Sequence, residues 1–357
     1  MTPTHSTRHA MHPAWGIAIF VLITLLGLFY IKWSPYYSRA FTAAETHSIG
    51  SSILTGTDGS VPAPSLRAAI DYAITYGLAI WKALLLGLLL GSGLQALLPA
   101  QWIRRWLGGS GIGSVLAGSL LSVPSMMCTC CSAPVVKGLR ECQAAPGSAA
   151  AYWLGNTMFN PATLVFMGFV LGWHWVGLRL VLGLLMVVGL GWLLNRTHTT
   201  THEPVAAAVT VVEPSFCIPQ DPTSVLRRWA RSFSAMALRL LPEYLVLVLL
   251  LGAARAWLFP ALDMGANNSV LWIVGAAIAG TLFVIPTAGE VPIVQALLAL
   301  GMATGPAAAL LFTLPPISLP SLAMVARSFR HADLMILMVG VVVIGVLGAG
   351  AAITLGF

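Results

Sequence analysis

Charged side chains are scarce in this sequence: they make up 8% of its 357 residues, whereas a soluble domain carries about 25%. Because hydrophobic residues account for 58%, this scarcity excludes a soluble protein of ordinary surface composition. Acidic residues are fewer than basic ones, with 11 Asp and Glu against 18 Lys and Arg. The resulting charge of +7 is typical of basic loops that stay on the cytoplasmic side of a membrane.

The sequence also lacks the motifs of several protein classes. It contains no nucleotide-binding loop, catalytic triad or zinc-protease helix, and no basic patch interleaved with aromatic residues. We therefore expect a protein that is not an enzyme, that has no cofactor and that binds no nucleic acid. Energy for any transport must then come from an ion gradient, a redox partner or an accessory subunit.

Apolar runs longer than 18 residues recur along the chain, and each is long enough to cross the lipid bilayer as a helix. They predict an all-α integral membrane protein, a polytopic helical bundle. The first run, residues 14–33, is interpreted as a retained signal-anchor helix with Lys32 and Trp33 at the interface. The polar residues 34–65 are interpreted as an external loop.

The chain divides at a polar linker that ends in three arginines. Leu88-Leu89-Leu90-Gly91 and Pro99 recur at 249–252 and Pro260 with identical spacing, and residues 133–136 correspond to 291–294. We assign residues 1–70 to the tail, first helix and external loop, 71–196 to a first repeat, 197–231 to a cytoplasmic basic linker and 232–357 to a second repeat.

The positions of the basic clusters predict the topology. Placing all of them inside gives seven full spans and two re-entrant hairpins, with the N-terminus cytoplasmic and the C-terminus external. The two repeats then have inverted topology, each with a re-entrant hairpin and a broken helix, as in many secondary transporters.

Each repeat contains a proline-flanked break, at residues 124–134 and 286–292. Non-helical backbone survives at membrane depth only where protein buries it or water lines it, so the breaks predict a cavity. The first break contains Cys128, Thr129, Cys130, Cys131 and Ser132. Sulfur is a soft donor that suits a metalloid or soft metal ion, although cysteine is also a common small apolar core residue.

Carboxylates and amides within apolar segments complete the candidate site. Glu290 lies in the second break, where a carboxylate is costly unless it has an ionic partner, takes up a proton or serves a function. It is a candidate for substrate contact or proton coupling, or a capping carboxylate. Lys82 and Glu243 occupy equivalent repeat positions and are expected to form an intramembrane ion pair, unless each reaches water separately. Asn156 and Asn160 could line a pathway or satisfy backbone freed by prolines.

At these residues the chain resembles the bacterial YraQ/ArsP-type family of predicted permeases, which includes organoarsenical efflux permeases. The resemblance rests on residues 128–134, on residues 155–164 and on the recurrence of the first half's sequence pattern in the second half. It implies a multi-pass permease of the bacterial inner membrane, with the motif cysteines as candidate ligands. Its partners would be the lipid bilayer and a small-molecule or ion substrate.

Three functions remain open at this point. The first is a secondary permease, an exporter by resemblance, for a small thiophilic solute such as a trivalent organoarsenical, another metalloid, a soft metal ion or a sulfur compound. The second is a thiol-disulfide relay that carries reducing equivalents across the membrane with a thioredoxin-like partner. The third is an accessory membrane subunit without a pathway of its own.

Overall fold

The computed structural model describes residues 13–50, 52–54, 62–199, 225–258 and 267–357. Within these ranges the regular structure is helical and contains no β-strand, which confirms the all-α prediction. The α-helices in chain order are α1 (Pro13–Leu28), α2 (Ser34–Thr46), α3 (Leu66–Leu97), α4 (Ala100–Leu107), α5 (Ile112–Ser122), α6 (Thr129–Glu141), α7 (Pro146–Met158), α8 (Pro161–Val170), α9 (Trp173–Leu184), α10 (Leu190–Thr199), α11 (Val225–Leu258), α12 (Val270–Leu282), α13 (Glu290–Ala299), α14 (Thr304–Thr313), α15 (Leu319–Val325) and α16 (His331–Leu355).

The described helices confirm a multi-pass membrane protein. Five stretches are long and apolar enough to cross a bilayer: Gly16–Thr46, Leu66–Leu97, Trp173–His198, Leu226–Arg255 and His331–Leu355. A sixth exists if α4 and the segment Ile112–Ser125, which meet at 113°, form one span. This number is below the seven spans that the sequence predicted, because α7, α8, α12, α13 and α14 have only 10 to 13 residues each.

The order of elements in the first half recurs in the second. A long helix, α3 or α11, precedes a helix that ends at a break, α5 or α12, and a helix that begins just after it, α6 or α13. Two further short helices and a long apolar stretch follow in each half. The halves also exchange contacts, since α3 packs on α11, α6 packs on α15 and α13 packs on α8.

For each pair of helices around a break, a closing hydrogen bond connects the chain just before the pair to the chain just after it. The amide of Ala145, the N-cap of α7, donates at 2.7 Å to the carbonyl oxygen of Leu107, the last residue of α4, and so connects the chain before α5 to the chain after α6. The Gly305 amide donates to Asn268 Oδ1 at 2.9 Å and joins the ends of α12–α13. The chain before each helix pair and the chain after it are therefore close in space.

The two closures lie at opposite ends of α16. Near the first closure, Asn195 Oδ1 accepts from the Gly147 amide at 2.8 Å, and His198, one turn later in α10, contacts Asp333 in the first turn of α16. Near the second closure, Thr304 Oγ1 donates to the carbonyl oxygen of Phe357, just beyond the last turn of α16. At 1.5 Å per residue, the 25 residues of α16 separate these ends by about 38 Å.

The N-terminal helix differs from its prediction. A π-helical segment, Phe29–Trp33, joins α1 to α2, so Gly16–Thr46 is a single helical stretch and residues 34–46 are not a loop. Their Ser, Thr and Pro content suggested a loop, but α2 packs on α8, with the Tyr36 ring stacked on Phe166 at 5.9 Å. Lys32 is 3% exposed and buried within the protein, so it is not an interfacial anchor.

Candidate functional site

Both breaks contain a strained backbone residue. Met126 has a φ of 49° and Ala288 a φ of 65°, in the left-handed region that residues other than glycine rarely adopt. Such conformations persist where the surroundings hold them in place. Here Met126 and Ala288 belong to one buried apolar cluster with residues of α2 and α8. The tips of the two helix pairs therefore meet inside the protein.

The cysteines lie in the first turn of α6, because the helix begins at Thr129 and the first break therefore ends at Cys128, earlier than the predicted range of 124–134. Cys128 is the N-cap residue, and its Sγ atom lies 2.7 Å from Sγ of Cys131, one turn along the helix. Cys130 points elsewhere, with its Sγ 3.7 Å from Ser318 Oγ at the start of α15. The three residues are buried free thiols.

This arrangement corrects the predicted metal site. The sequence offered all three cysteines as one ligand set, but Cys130 is turned toward Ser318 and away from the pair formed by Cys128 and Cys131. In the described part of the chain, no three Cys, His, Asp or Glu residues converge as metal ligands. What the break supplies is a dithiol, because residues three apart share one face of a helix.

Two cavities adjoin the dithiol. The larger, of about 170 Å³, lies between the N-terminal helix, α3 and the second break, and the smaller, of about 10 Å³, lies between the second break and the junction of α7 and α8. Both are lined by Cys128, Pro286, Thr287 and Ala288. A cavity needs only about 10–15 Å³ by this measure to hold one water, so the larger cavity has room for a small solute. Cys128 thus faces the space between the two breaks.

Glu290 forms a buried ion pair with a residue that the sequence analysis missed. Arg179 Nη2 donates to Glu290 Oε1 at 2.8 Å, and the two side chains are 0% and 2% exposed. Arg179 also donates to the carbonyl oxygens of Thr157 and Met158, at 2.7 Å and 3.3 Å. It thereby joins the C-terminal end of α7 to the first turn of α13, and so links one half of the chain to the other.

Two polar donors at this pair have no hydrogen-bond partner among the residues that the structure describes. They are Arg179 Nη1 and Asn160 Nδ2, and both are buried. Asn160 lines the smaller cavity together with Glu290, and its Oδ1 caps α8 by accepting from the Ala162 amide at 3.1 Å. The smaller cavity therefore contains a carboxylate, an amide donor and the Cys128 thiol.

The remaining polar candidates stabilise the breaks. Asn156 Oδ1 accepts from the Met127 amide at 3.2 Å and from the Ser125 hydroxyl, so Asn156 satisfies backbone freed by the first break. Thr129 O accepts from Trp153 Nε1 at 3.1 Å. Ser132 Oγ donates to Cys128 O at 3.0 Å. All three candidates are buried and are held by the protein itself.

The structure does not bring Lys82 and Glu243 together. Glu243 pairs with Arg327 at 3.3 Å, and both side chains are substantially exposed. Lys82 is exposed and lies over the rings of Tyr30 and Trp81, at 5.8 Å and 5.6 Å from their centres. Equivalence within the repeat placed both residues on long helices but did not give the direction in which each side chain points.

The N-terminal helix contributes to the site through two adjacent residues. Lys32 Nζ donates to Thr287 Oγ1 of the second break at 2.9 Å, and Trp33 Nε1 donates to Pro124 O of the first break at 2.8 Å. Both residues lie in the π-helical segment, a feature that is frequent at functional sites. One short segment of this helix thus contacts both breaks.

A multi-pass helical protein with two converging breaks and a buried polar centre has the architecture of a membrane permease. Comparison with known proteins agrees with this class. A family of predicted permeases, ArsP_1, matches residues 14–165 and 65–353, and the chain belongs to that family.

The relatives extend over most of the chain. UPF0718 protein YraQ of Escherichia coli is 48% identical over 339 residues, which are 95% of each chain. UPF0718 protein MJ0584 of Methanocaldococcus jannaschii is 31% identical over 105 residues, covering 29% of this chain and 28% of its own. No solved structure matches the chain.

Proposed function

We propose that the protein is a secondary permease of the bacterial inner membrane, acting as an exporter, for a small thiophilic solute. The observation that carries this proposal is the dithiol of Cys128 and Cys131 beside the cavities at the two breaks. Two soft donors in one helical turn suit a trivalent arsenical, another metalloid, a soft metal ion or a sulfur compound. Glu290 and Asn160 would contact or couple to the solute from the smaller cavity.

The proposal includes an inverted repeat, with residues 71–196 and 232–357 as its halves, residues 1–70 before them and the linker 197–231 between them. The closures of the two helix pairs at opposite ends of α16 support opposite orientations, which would make each pair a re-entrant hairpin. The basic clusters favour a cytoplasmic N-terminus and an external C-terminus.

A trivalent arsenical probe tests the dithiol directly. We expect phenylarsine oxide to raise the apparent melting temperature of the purified protein in detergent, because a ligand for the folded state stabilises it. Cys128→Ser or Cys131→Ser should weaken binding on the order of a hundredfold or more, since the second thiolate acts at a high effective concentration. Cys130→Ser is the matched control and should bind nearly as the unmodified protein does, because its sulfur faces Ser318.

Transport is measured with the same probe in everted membrane vesicles. Vesicles with the unmodified protein or Cys130→Ser should accumulate the arsenical, and those with Cys128→Ser should match vesicles without the protein. If Cys128→Ser transports as fast as the unmodified protein at equal abundance, the proposed role of the dithiol is wrong.

The separation of 2.7 Å between the Cys128 and Cys131 sulfurs also favours a second candidate, a thiol-disulfide relay. In such a relay a Cys128 thiolate attacks a partner disulfide, and Cys131 then displaces the reduced partner. The pair becomes a disulfide, and two electrons and two protons pass to the partner. Cys131→Ser should then trap a mixed disulfide with a thioredoxin-like protein, and failure to trap one excludes this candidate.

A further inference from the structure

The larger cavity contains positive charge without a matching carboxylate. Its lining includes Lys32, Tyr36, Arg39, Cys128 and Thr287. Two of these are cationic, and no Asp or Glu lines the cavity. A cavity lined by cations and by no carboxylate attracts anions, and low-dielectric walls strengthen that attraction.

Three polar side chains of the N-terminal helix lie in one row along this cavity. Lys32, Tyr36 and Arg39 are spaced by four and three residues, which places them on the same helical face. Lys32 is buried beside the breaks, Tyr36 is half-buried and Arg39 is exposed. The charge therefore extends from the exposed mouth of the cavity to the Cys128 thiol.

Lys32 has no carboxylate partner in the described part of the chain. Its Nζ donates to Thr287 Oγ1, and no described carboxylate lies within 4.0 Å of it. A buried ammonium without a carboxylate partner is costly within a membrane protein and marks a functional position. An anion in the cavity would give Lys32 a negatively charged partner.

The carboxylate of the smaller cavity is already neutralised. Glu290 lines the smaller cavity, and Arg179 pairs with it at 2.8 Å. The surroundings of the second break therefore carry a net positive charge, since three side chains there are cationic (Lys32, Arg39 and Arg179) and one is anionic (Glu290). The charge of Lys32 is thus directed toward the cavity.

We propose that the larger cavity binds a small anion that carries a soft atom, with Lys32 as the residue that selects for negative charge. This inference rests on the proposed function, since the dithiol of Cys128 and Cys131 would bind the soft atom of the same solute. Arg39 attracts the anion at the mouth of the cavity. Lys32 then binds the negatively charged group of the anion beside Cys128. Charge and sulfur affinity together define the solute class.

A pair of probes that differ only in charge tests this selection. Phenylarsine oxide is uncharged, and its 4-carboxy derivative carries one negative charge on the same arsenical. We expect the unmodified protein to bind the carboxylate probe about tenfold more tightly, because Lys32 provides a charge at short range in a partly desolvated cavity. In Lys32→Met the two affinities should become equal, and Lys32→Arg should restore the preference.

Lys82→Met is the matched control, since Lys82 is exposed on α3 and lines neither cavity. It should retain the full preference. Equal binding of the two probes by the unmodified protein, or a preference that survives in Lys32→Met, overturns the inference.

A sulfate titration separates this inference from the proposed function. Sulfate should raise the apparent melting temperature of the unmodified protein and of Cys128→Ser, and the rise should saturate as a binding site fills. Lys32→Met measures the general salt effect, and the rise in the other two proteins should exceed it. If neither arsenical binds but the sulfate effect persists, the dithiol proposal fails and the anion site stands. If the arsenicals bind the dithiol but sulfate acts equally on Lys32→Met, the anion site is wrong.

Discussion

Glu290→Leu is expected to destabilise the folded protein by about 3–5 kcal/mol, since removal of one member of a buried ion pair leaves the other charge uncompensated. Arg179 would then remain charged at 0% exposure, because a guanidinium does not lose its proton in proteins. Arg179→Met should also destabilise the protein, since it leaves the buried Glu290 carboxylate without its partner. The apparent melting temperature and the yield of monodisperse protein in detergent measure both effects.

The double variant Arg179→Met/Glu290→Leu is the control for this pair. It removes both charges and should recover most of the stability that Glu290→Leu loses. Recovery should be incomplete, because the carbonyl oxygens of Thr157 and Met158 lose their donor. If the losses of the two single variants simply add in the double variant, the pair is not energetically coupled and its assigned role is wrong.

Gly87→Ala is expected to destabilise the protein by about 3 kcal/mol or more, as overpacking does when backbone cannot move aside. A Cβ at Gly87 would clash with the carbonyl oxygen of Cys131 in α6. Helix α6 would have to shift away from α3 and displace the dithiol. We therefore expect less folded protein and weaker binding of phenylarsine oxide by the fraction that folds.

Gly77→Ala is a matched control on the same helix. A Cβ at Gly77 meets no atom within 4 Å, and alanine is the better helix former. This variant should fold and bind as the unmodified protein does. Equal stability of the two variants would contradict the close packing of α3 against α6.

The sequence predicted the helical class and the position of the two breaks because both depend on local features, but each break is shorter than predicted, since α6 begins at Thr129 and α13 at Glu290. Long apolar runs give the spans, and prolines within them give the interruptions. The cysteines and Glu290 were identified for the same reason, since a soft or charged residue within an apolar run needs no partner to be recognised. The function of these residues remains a prediction.

The rest of the site depends on the direction in which each helix face points. Arg179 is a single charge within an apolar helix, and the rule applied to Glu290 would have found it. Lys32 was assigned to the interface because a lysine after an apolar run normally reaches water, and only the packing of the N-terminal helix on the breaks buries it. The predicted pairing of Lys82 with Glu243 failed because sequence equivalence gives no orientation.

The N-terminal helix is consequently part of the site and more than an anchor. Its Lys32 and Trp33 contact the second and the first break, respectively. The family match begins at residue 14 and therefore includes this helix. Experiments on a truncated permease region that starts at α3 would omit the cation that we propose for anion selection.

Cross-linking between the two breaks tests the central claim, which is that they meet around the dithiol. A Thr287→Cys variant that also carries Cys130→Ser, Cys131→Ser, Cys142→Ser and Cys217→Ser keeps Cys128 as its only other thiol. It is given a protease site in the linker, and a short thiol cross-linker is applied in membranes. Because Thr287 and Cys128 line the same cavities, the halves should stay joined after cleavage. With Gly275→Cys in place of Thr287→Cys, on the open face of α12, the halves should separate. Halves that separate in the Thr287→Cys protein, or that stay joined equally in both, would contradict the account.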